Sequence, residues 1–169
     1  MVKTALKYLI KVIAAAYFGL LIMVLVTIPL RLMTSHTVIQ SVVSCILCVV
    51  GSMACLFFVC IKDGYDEKPE QKTPMVKTVI FMTIAVVIYD LLTVIFQYYT
   101  GAATNVCDLA QVFGNLDSTT GIKDMAREHG GLMFASLVIQ TIPFIPAMVA
   151  GYLFGCKKRE KSRKELIEK

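Results

Sequence analysis

Four long apolar runs alternate with shorter polar segments along the chain, and this pattern predicts four membrane-spanning helices. The runs cover residues 9–33, 38–61, 75–99 and 132–154. A helix needs roughly 20 apolar residues to cross the hydrocarbon core of a bilayer, and each run is long enough. We therefore predict an all-α integral membrane protein. Its 169 residues should form one membrane domain, an up-and-down bundle of four transmembrane helices.

The composition agrees with a lipid environment. Hydrophobic residues make up 57% of the chain, and the mean hydropathy is +0.71, both well above what a soluble domain needs. The six cysteines lie mostly inside the apolar runs, with Cys107 in an external segment, so we expect no disulfide scaffold. The sequence contains no nucleotide-binding glycine motif and no zinc-type ligand spacing, and we expect no cofactor and no metal.

The positions of the basic residues predict the orientation of the spans. Lys and Arg residues near span ends are retained on the cytoplasmic side. Most of the 17 Lys and Arg residues flank the first span, lie between spans two and three, or lie in the tail. Only Arg31, Lys123 and Arg127 lie in the other two connections. Both termini should therefore be cytoplasmic, in a multi-pass protein of the cell (plasma or inner) membrane.

The polar segments differ in what they predict. The inner connection that begins at Lys62 balances its lysines with Asp63, Asp66, Glu67 and Glu70, which is typical of a solvated turn. The outer connection between spans three and four, 100–131, is long enough to form a cap outside the bilayer. We expect short amphipathic helices there, lying on the outer surface, and a dedicated ligand-binding cap is the alternative.

The tail, residues 155–169, is predicted to extend the fourth span as a basic helix. Its charges next to the membrane should bind anionic headgroups. No aromatic residue is interleaved with these charges, so we expect no nucleic-acid binding. The basic side chains concerned are Lys157, Lys158, Arg159, Lys161, Arg163 and Lys164.

Asp90 is the strongest candidate for a functional group because it lies inside the third apolar run. An ionised carboxylate at the bilayer centre costs about 2.5–3.5 kcal/mol on insertion scales, and such residues usually face protein or water. Thr83, Asp90 and Gln97 recur at a spacing of seven residues, and Thr93 lies beside them. They form a polar stripe on one face of span three, and we expect that face to be buried.

Gln140 of span four should lie level with Asp90. At 1.5 Å per residue, Asp90 is roughly 13 Å from the outer end of its span and Gln140 roughly 12 Å from the end of its own. Pro143 and Pro146 have no N–H groups, so the carbonyls of Ile139 and Ile142 should lose their usual donors nearby.

Three functions fit this set of Asp90, Gln140, Thr93, Gln97 and Thr83. Asp90 and Gln140 could bond to each other as interhelical contacts worth about 1 kcal/mol. The same oxygens could bind a proton or a small cation. The polar stripe could also recognise a helix of another membrane protein.

Span two has a face of small residues that should let another helix approach closely: Ser41, Cys45, Cys48, Ser52 and Cys55. Cys45 and Cys48 also form a C-x-x-C pair, which raises the alternative of a membrane thiol oxidoreductase. The pair lies about 12 Å deep in an apolar setting where a thiol should be inert, so we expect packing. The histidines His36 and His129 should be solvated at the outer surface.

These observations favour a non-enzymatic membrane protein, with no catalytic residues, that works by binding. We expect an accessory or assembly subunit, or a homo-oligomer, in contact with a membrane protein partner and with lipid. The alternative is a small oligomeric transporter or ion-coupled subunit that uses Asp90.

Overall fold

A computed structural model of the protein describes residues 2–33, 37–66, 75–100, 128 and 130–167. The described part contains five α-helices and no strand. They are α1 (Val2–Met33), α2 (Thr37–Asp66), α3 (Met75–Thr100), α4 (Gly130–Thr141) and α5 (Phe144–Ile167). Most of the predicted outer cap lies outside the described residues, as do Cys107, His36 and His129.

Within the described residues, four helical segments are long and apolar enough to cross a membrane, as the hydropathy pattern predicts. They cover Lys3–Val26, Val42–Asp66, Met75–Phe96 and Gly130–Glu165. Large apolar side chains point outward from all of them, for example Tyr17 and Phe58, which are 71% and 68% exposed. So much exposed apolar surface is typical of helices that face lipid.

The fourth apolar segment consists of two helices, α4 and α5, with a break at Ile142 and Pro143. Pro143 has no N–H group to donate, so the helical hydrogen-bond ladder cannot continue through it. The expectation that the Ile142 carbonyl is free is wrong, because the N–H of Ile145 donates to it at 3.3 Å. The N–H of Ala147 donates to the Pro143 carbonyl at 3.3 Å, and α5 continues from there.

The bundle is organised around α2, which packs mainly against α1 and α5. Helix α3 packs against α1 and makes smaller contacts with α4 and α5. One cluster of buried side chains joins these helices and forms the core. Its members are Tyr8, Val12, Ala15, Leu56, Cys60, Met82, Ala85, Val86, Phe144, Met148, Tyr152 and Cys156.

Glycines bring the backbones of α2 and α5 into direct contact. A Cβ atom at Gly151 would overlap the carbonyl of Phe57, and a Cβ atom at Gly155 would overlap the carbonyl of Ile61. Since the two contacts advance together along both helices, α2 and α5 run parallel. Gly151 and Gly155 have the four-residue spacing of small residues that pack membrane helices closely. The sequence analysis did not single out this pair.

Helices α1 and α2 meet at a glycine near their midpoints and at an ion cluster toward one end. A Cβ atom at Gly19 would overlap the side chain of Ser52 and the carbonyl of Cys48. Nearer the start of α1 and the end of α2, Asp63 pairs with Lys7 at 2.8 Å and with Lys11. The side chains of Lys11 and Asp63 are only 14% and 11% exposed. The structure places Asp63 inside α2, whereas the sequence pattern predicted that it lies in a solvated turn.

Replacing Gly155 with alanine should destabilise the bundle. The added methyl group cannot fit against the Ile61 carbonyl, so α2 and α5 must separate, at a cost of about 1–3 kcal/mol. Gly131→Ala is the matched control, because nothing lies within 4 Å of a Cβ at that glycine. The free energy of unfolding in detergent measures both changes. Equal effects of the two substitutions would contradict this packing.

Lys11→Met should lower the free energy of unfolding by about 1–3 kcal/mol, because it leaves the largely buried Asp63 carboxylate with Lys7 alone. Lys62→Met removes an exposed lysine one position from Asp63 and should have little effect. Thermal unfolding midpoints of the two variants test the difference. If Lys62→Met lowers the unfolding midpoint as much as Lys11→Met or more, the ion cluster does not stabilise the fold.

Candidate functional site

A cavity of about 620 Å³ lies between α1, α2, α3, α4 and the start of α5, away from the Asp63 end of the bundle. Its walls are mostly apolar, and none of the described residues that line it is charged. The apolar walls include Ile13, Leu20, Val49, Leu92, Ile95, Leu137 and Phe144. The polar side chains include Ser52 of α2, Tyr89 and Thr93 of α3, and Gln140 and Thr141 of α4.

Asp90 is buried beside this cavity, with its side chain joined to α4. Asp90 is 3% exposed, and Thr141 Oγ1 donates to Asp90 Oδ2 at 3.0 Å. The carboxyl of span three is therefore held by the last residue of α4, next to the break before α5. The sequence analysis named Gln140 and not its neighbour Thr141.

The position of Thr141 allows two hydrogen-bonding patterns. With Asp90 ionised, the single hydroxyl proton of Thr141 goes to the carboxylate. With Asp90 protonated, the acid donates to Thr141 Oγ1, and the Thr141 proton goes to the Leu137 carbonyl, 3.1 Å away. Both the ionised and the protonated form of Asp90 can therefore hydrogen-bond to Thr141 with the helices in the same positions.

Several buried polar atoms around the site have no hydrogen-bond partner among the described residues. They are Asp90 Oδ1, Gln140 Nε2, Ser52 Oγ and Ser136 Oγ. Gln140 Nε2 therefore does not donate to Asp90, so the interhelical bond between them, one of the three interpretations of the sequence, is not formed. Leaving such a group unpaired in a buried setting costs about 1–3 kcal/mol, and native proteins contain few of them. Ser52 and Gln140 also line the cavity.

The other members of the polar stripe are placed differently. Thr83 Oγ1 donates to the Val79 carbonyl at 3.0 Å, and Thr93 Oγ1 donates to the Tyr89 carbonyl at 2.8 Å. Each hydroxyl is thus satisfied by its own helix, and Thr93 also lines the cavity. The side chain of Gln97 lies outside the described residues.

No lysine or arginine in the described part of the chain forms a salt bridge with Asp90. The ion pairs there include those of Lys7 and Lys11 with Asp63, and of Lys161 with Glu165 at 4.0 Å. The described residues also contain no group of three or more His, Cys, Asp or Glu side chains that could hold a metal ion.

The small-residue face of α2 contributes both to packing and to the cavity. Ser52 is fully buried and lies against Gly19, whereas Cys48 lines the cavity. Cys45 is buried and Cys55 is partly buried. Cys45 and Cys48 are thiols and do not form a disulfide with each other. The side chain of Ser41 lies outside the described residues.

The basic tail continues α5 as far as Ile167. Five of its six candidate basic residues are exposed, and Arg159 is half-buried. The exposed charges, available to a charged surface, are those of Lys157, Lys158, Lys161, Arg163 and Lys164.

Comparisons with known proteins give no relative to guide the assignment. No family model matches the chain, and neither does any curated protein or any solved structure. Asp90 and the cavity beside it are therefore the features that indicate a function.

Thr141→Val should destabilise the protein by about 1–2 kcal/mol, because it removes the hydroxyl that donates to Asp90 and leaves the carboxyl in an apolar setting. Thr93→Val is the matched control, since the Thr93 hydroxyl bonds only to its own helix among the described residues. The free energy of unfolding measures both. If the two substitutions cost the same, the Thr141–Asp90 bond does not hold α4 to α3.

Proposed function

We propose that this protein is a non-enzymatic, multi-pass membrane protein that works by binding a molecule inside the membrane, in the cavity beside Asp90. One observation supports the proposal above all others. A cavity of about 620 Å³ lies between the helices, with mostly apolar walls and a few polar side chains that include Tyr89, Thr93 and Gln140. A bound molecule would fill this space. Beside it, Ser52 Oγ and Gln140 Nε2 are buried polar atoms with no partner among the described residues.

The energetics favour binding over a purely structural role for these groups. A bundle that needs only to stay folded gains nothing from unpaired polar atoms, because an apolar side chain of the same size would be neutral or better. Functional sites commonly keep such groups at the expense of stability. The cavity volume also lies within the range of about 300–1,000 Å³ that is typical of small-molecule sites.

In the proposed topology the cavity lies in the outer half of the membrane, with both termini cytoplasmic. Lys7, Lys11 and the basic end of α5 lie at the same end of the bundle as Asp63, because Gly64 contacts Tyr152. Basic residues favour the cytoplasmic side. The cavity lies toward the opposite end, where Tyr17, Phe96 and Tyr99 line it.

We further propose that the protein acts as an accessory or assembly subunit, either in a homo-oligomer or with a different membrane protein. In that role the bound molecule would regulate or stabilise the association. The exposed basic side chains of α5 would hold the tail against anionic headgroups.

A second candidate function is proton- or cation-coupled transport through Asp90. The observation that favours it is the buried carboxyl whose Oδ1 has no partner among the described residues, next to a threonine that fits both states of the acid. Intramembrane carboxyls commonly serve in such pathways. Asp90→Asn separates the two functions, since it keeps the shape of the side chain and removes the titrating group.

Asp90→Asn should leave binding at the cavity intact, because Asp90 itself does not line the cavity. Wild-type and variant proteins in liposomes with a trapped pH-sensitive dye provide the measurement. We expect no proton flux from either protein. If the wild type conducts protons and Asp90→Asn does not, coupled transport is the better account of the function than binding.

The direct test of binding is native mass spectrometry of the full chain, extracted from its own membranes in a mild detergent. We expect one discrete small-molecule adduct on the wild type. Ala16→Phe should abolish it, because Ala16 lines the cavity and a phenyl ring there would fill the space. Ala14→Phe adds the same ring at an exposed position on α1 and should retain the adduct. A wild type without an adduct, or an adduct that persists in folded Ala16→Phe, would contradict the proposal.

A further inference from the structure

The cavity beside Asp90 adjoins the lipid-facing surface of the bundle, and its length and walls indicate what fills it. We propose that it holds one hydrocarbon chain of a membrane lipid, which enters from the bilayer between α1 and α3 while the polar headgroup of the lipid stays at the outer surface. This inference rests on the proposed function, because it takes the cavity as a binding site. It adds the class of ligand, its route of entry and its orientation.

The cavity is open toward lipid between α1 and α3. Leu20 of α1 lines it together with Leu92, Ile95 and Phe96 of α3, and all four residues are also exposed. Side chains that line a cavity and are exposed border its opening, so the cavity is open on this side within the described part of the chain. In a bilayer, exposed apolar side chains of this kind lie against lipid. A lipid chain can therefore enter sideways, without passing between packed helices.

The cavity has the length of one leaflet of the bilayer. On α3 its lining begins at Tyr89, near the middle of the helix, and ends at Tyr99, next to the end of the helix. At 1.5 Å per residue, these two positions are about 15 Å apart. The hydrocarbon core of a bilayer is about 30 Å thick, so the chains of one leaflet fill about 15 Å. The cavity therefore accommodates a chain that extends from the outer surface to the middle of the membrane.

The apolar walls make hydrocarbon the stable occupant. Ile13, Val49 and Leu137 are among the side chains around the space. If the space were empty, these side chains would lose van der Waals contacts on one side. The bilayer core has no water to fill the space, and apolar cavities stay dry in any case. A lipid chain at the opening supplies the missing contacts.

The headgroup of such a lipid keeps its place in the membrane. Tyr99 lies at the end of α3 that should reach the bilayer surface, and tyrosine is enriched at membrane–water interfaces. A lipid that inserts one chain along the helices keeps its headgroup hydrated there, so no polar group of the ligand is buried. A molecule that entered the cavity whole would lose the hydration of its polar groups. This difference favours a lipid chain over a fully enclosed ligand.

Two pairs of neighbouring leucines provide matched variants. Leu91 and Leu92 of α3 are both 49% exposed, but of the two only Leu92 lines the cavity. Leu92→Trp should obstruct the opening, whereas Leu91→Trp adds the same ring to the lipid-facing surface. Leu20 and Leu21 form the equivalent pair on α1, because both are exposed and Leu20 alone of the two lines the cavity. Leu20→Trp and Leu21→Trp replace the first pair if Leu92→Trp does not fold.

The test uses phosphatidylcholine with a photoreactive diazirine at the end of one chain, added to the full-length protein in phosphatidylcholine nanodiscs. Fragmentation mass spectrometry locates the labelled residues. Val49 lines the cavity, and its neighbour Val50 is 56% exposed and does not. We expect label on Val49 and Ile13 from a chain in the cavity, and on Val50 from any surrounding lipid. Leu92→Trp should lower the ratio of Val49 to Val50 label about three- to tenfold, because the larger side chain overpacks the opening, whereas Leu91→Trp should not change it.

A second phosphatidylcholine probe, with the diazirine next to the headgroup, tests the orientation. It should label Tyr99 and leave Ile13 unlabelled. The inference is overturned if wild-type Val49 carries no label, if Leu92→Trp and Leu91→Trp lower the ratio equally, or if both probes label Ile13 to the same extent.

Native mass spectrometry distinguishes failure of this inference from failure of the proposed function. An adduct that is not a lipid, and that Ala16→Phe removes, would overturn the lipid chain and leave the binding function intact. The absence of any adduct from the wild type would contradict the binding function itself. A phospholipid adduct that Ala16→Phe removes is the result we expect.

Discussion

The structure depends on one constraint: polar groups inside apolar helices must find their partners within the protein. Most of them do so locally, as Thr83 and Thr93 show by donating to carbonyls of their own helix. Asp90, in contrast, is held across the bundle by Thr141 of α4. The few polar atoms that the described residues leave unpaired then stand out, because two of them, Ser52 Oγ and Gln140 Nε2, belong to residues that border the same cavity.

The two ends of the bundle are built differently. Near Asp63, the backbones of α2 and α5 touch through Gly64 and Gly155, and Lys11 pairs with Asp63 at the α1 contact. Such close approach maximises van der Waals contact, which is the main attraction between helices in lipid. Toward the other end, α4 ends at the Pro143 break and a cavity of about 620 Å³ lies between the helices. The helices are thus packed tightly at the Asp63 end of the bundle, and toward the opposite end they leave space for a second molecule.

Hydropathy was enough to predict four apolar helical segments, because the length of an apolar run depends on sequence alone. Asp90 and Gln140 were selected because they lie at similar depths in their spans. Depth alone does not show which way a side chain points around the helix axis. That is why Thr141 was missed, although it directly follows Gln140, and why an Asp90–Gln140 bond was among the interpretations. Asp63 and Gly155 were missed for a related reason, since their roles depend on which helix lies opposite. The spacing of Gly151 and Gly155 was the signal that could have been used.

The central claim is that Gln140 and Ser52, which border the cavity, keep their buried polar groups for function and not for folding. The most direct test is the thermal unfolding midpoint of Gln140→Met/Ser52→Ala, compared with wild type after both have been stripped of bound lipid. Because both groups lack partners among the described residues, removing them should leave the midpoint unchanged or raise it. A clear fall in the midpoint of the double variant would contradict the claim, because these side chains would then be holding the fold together.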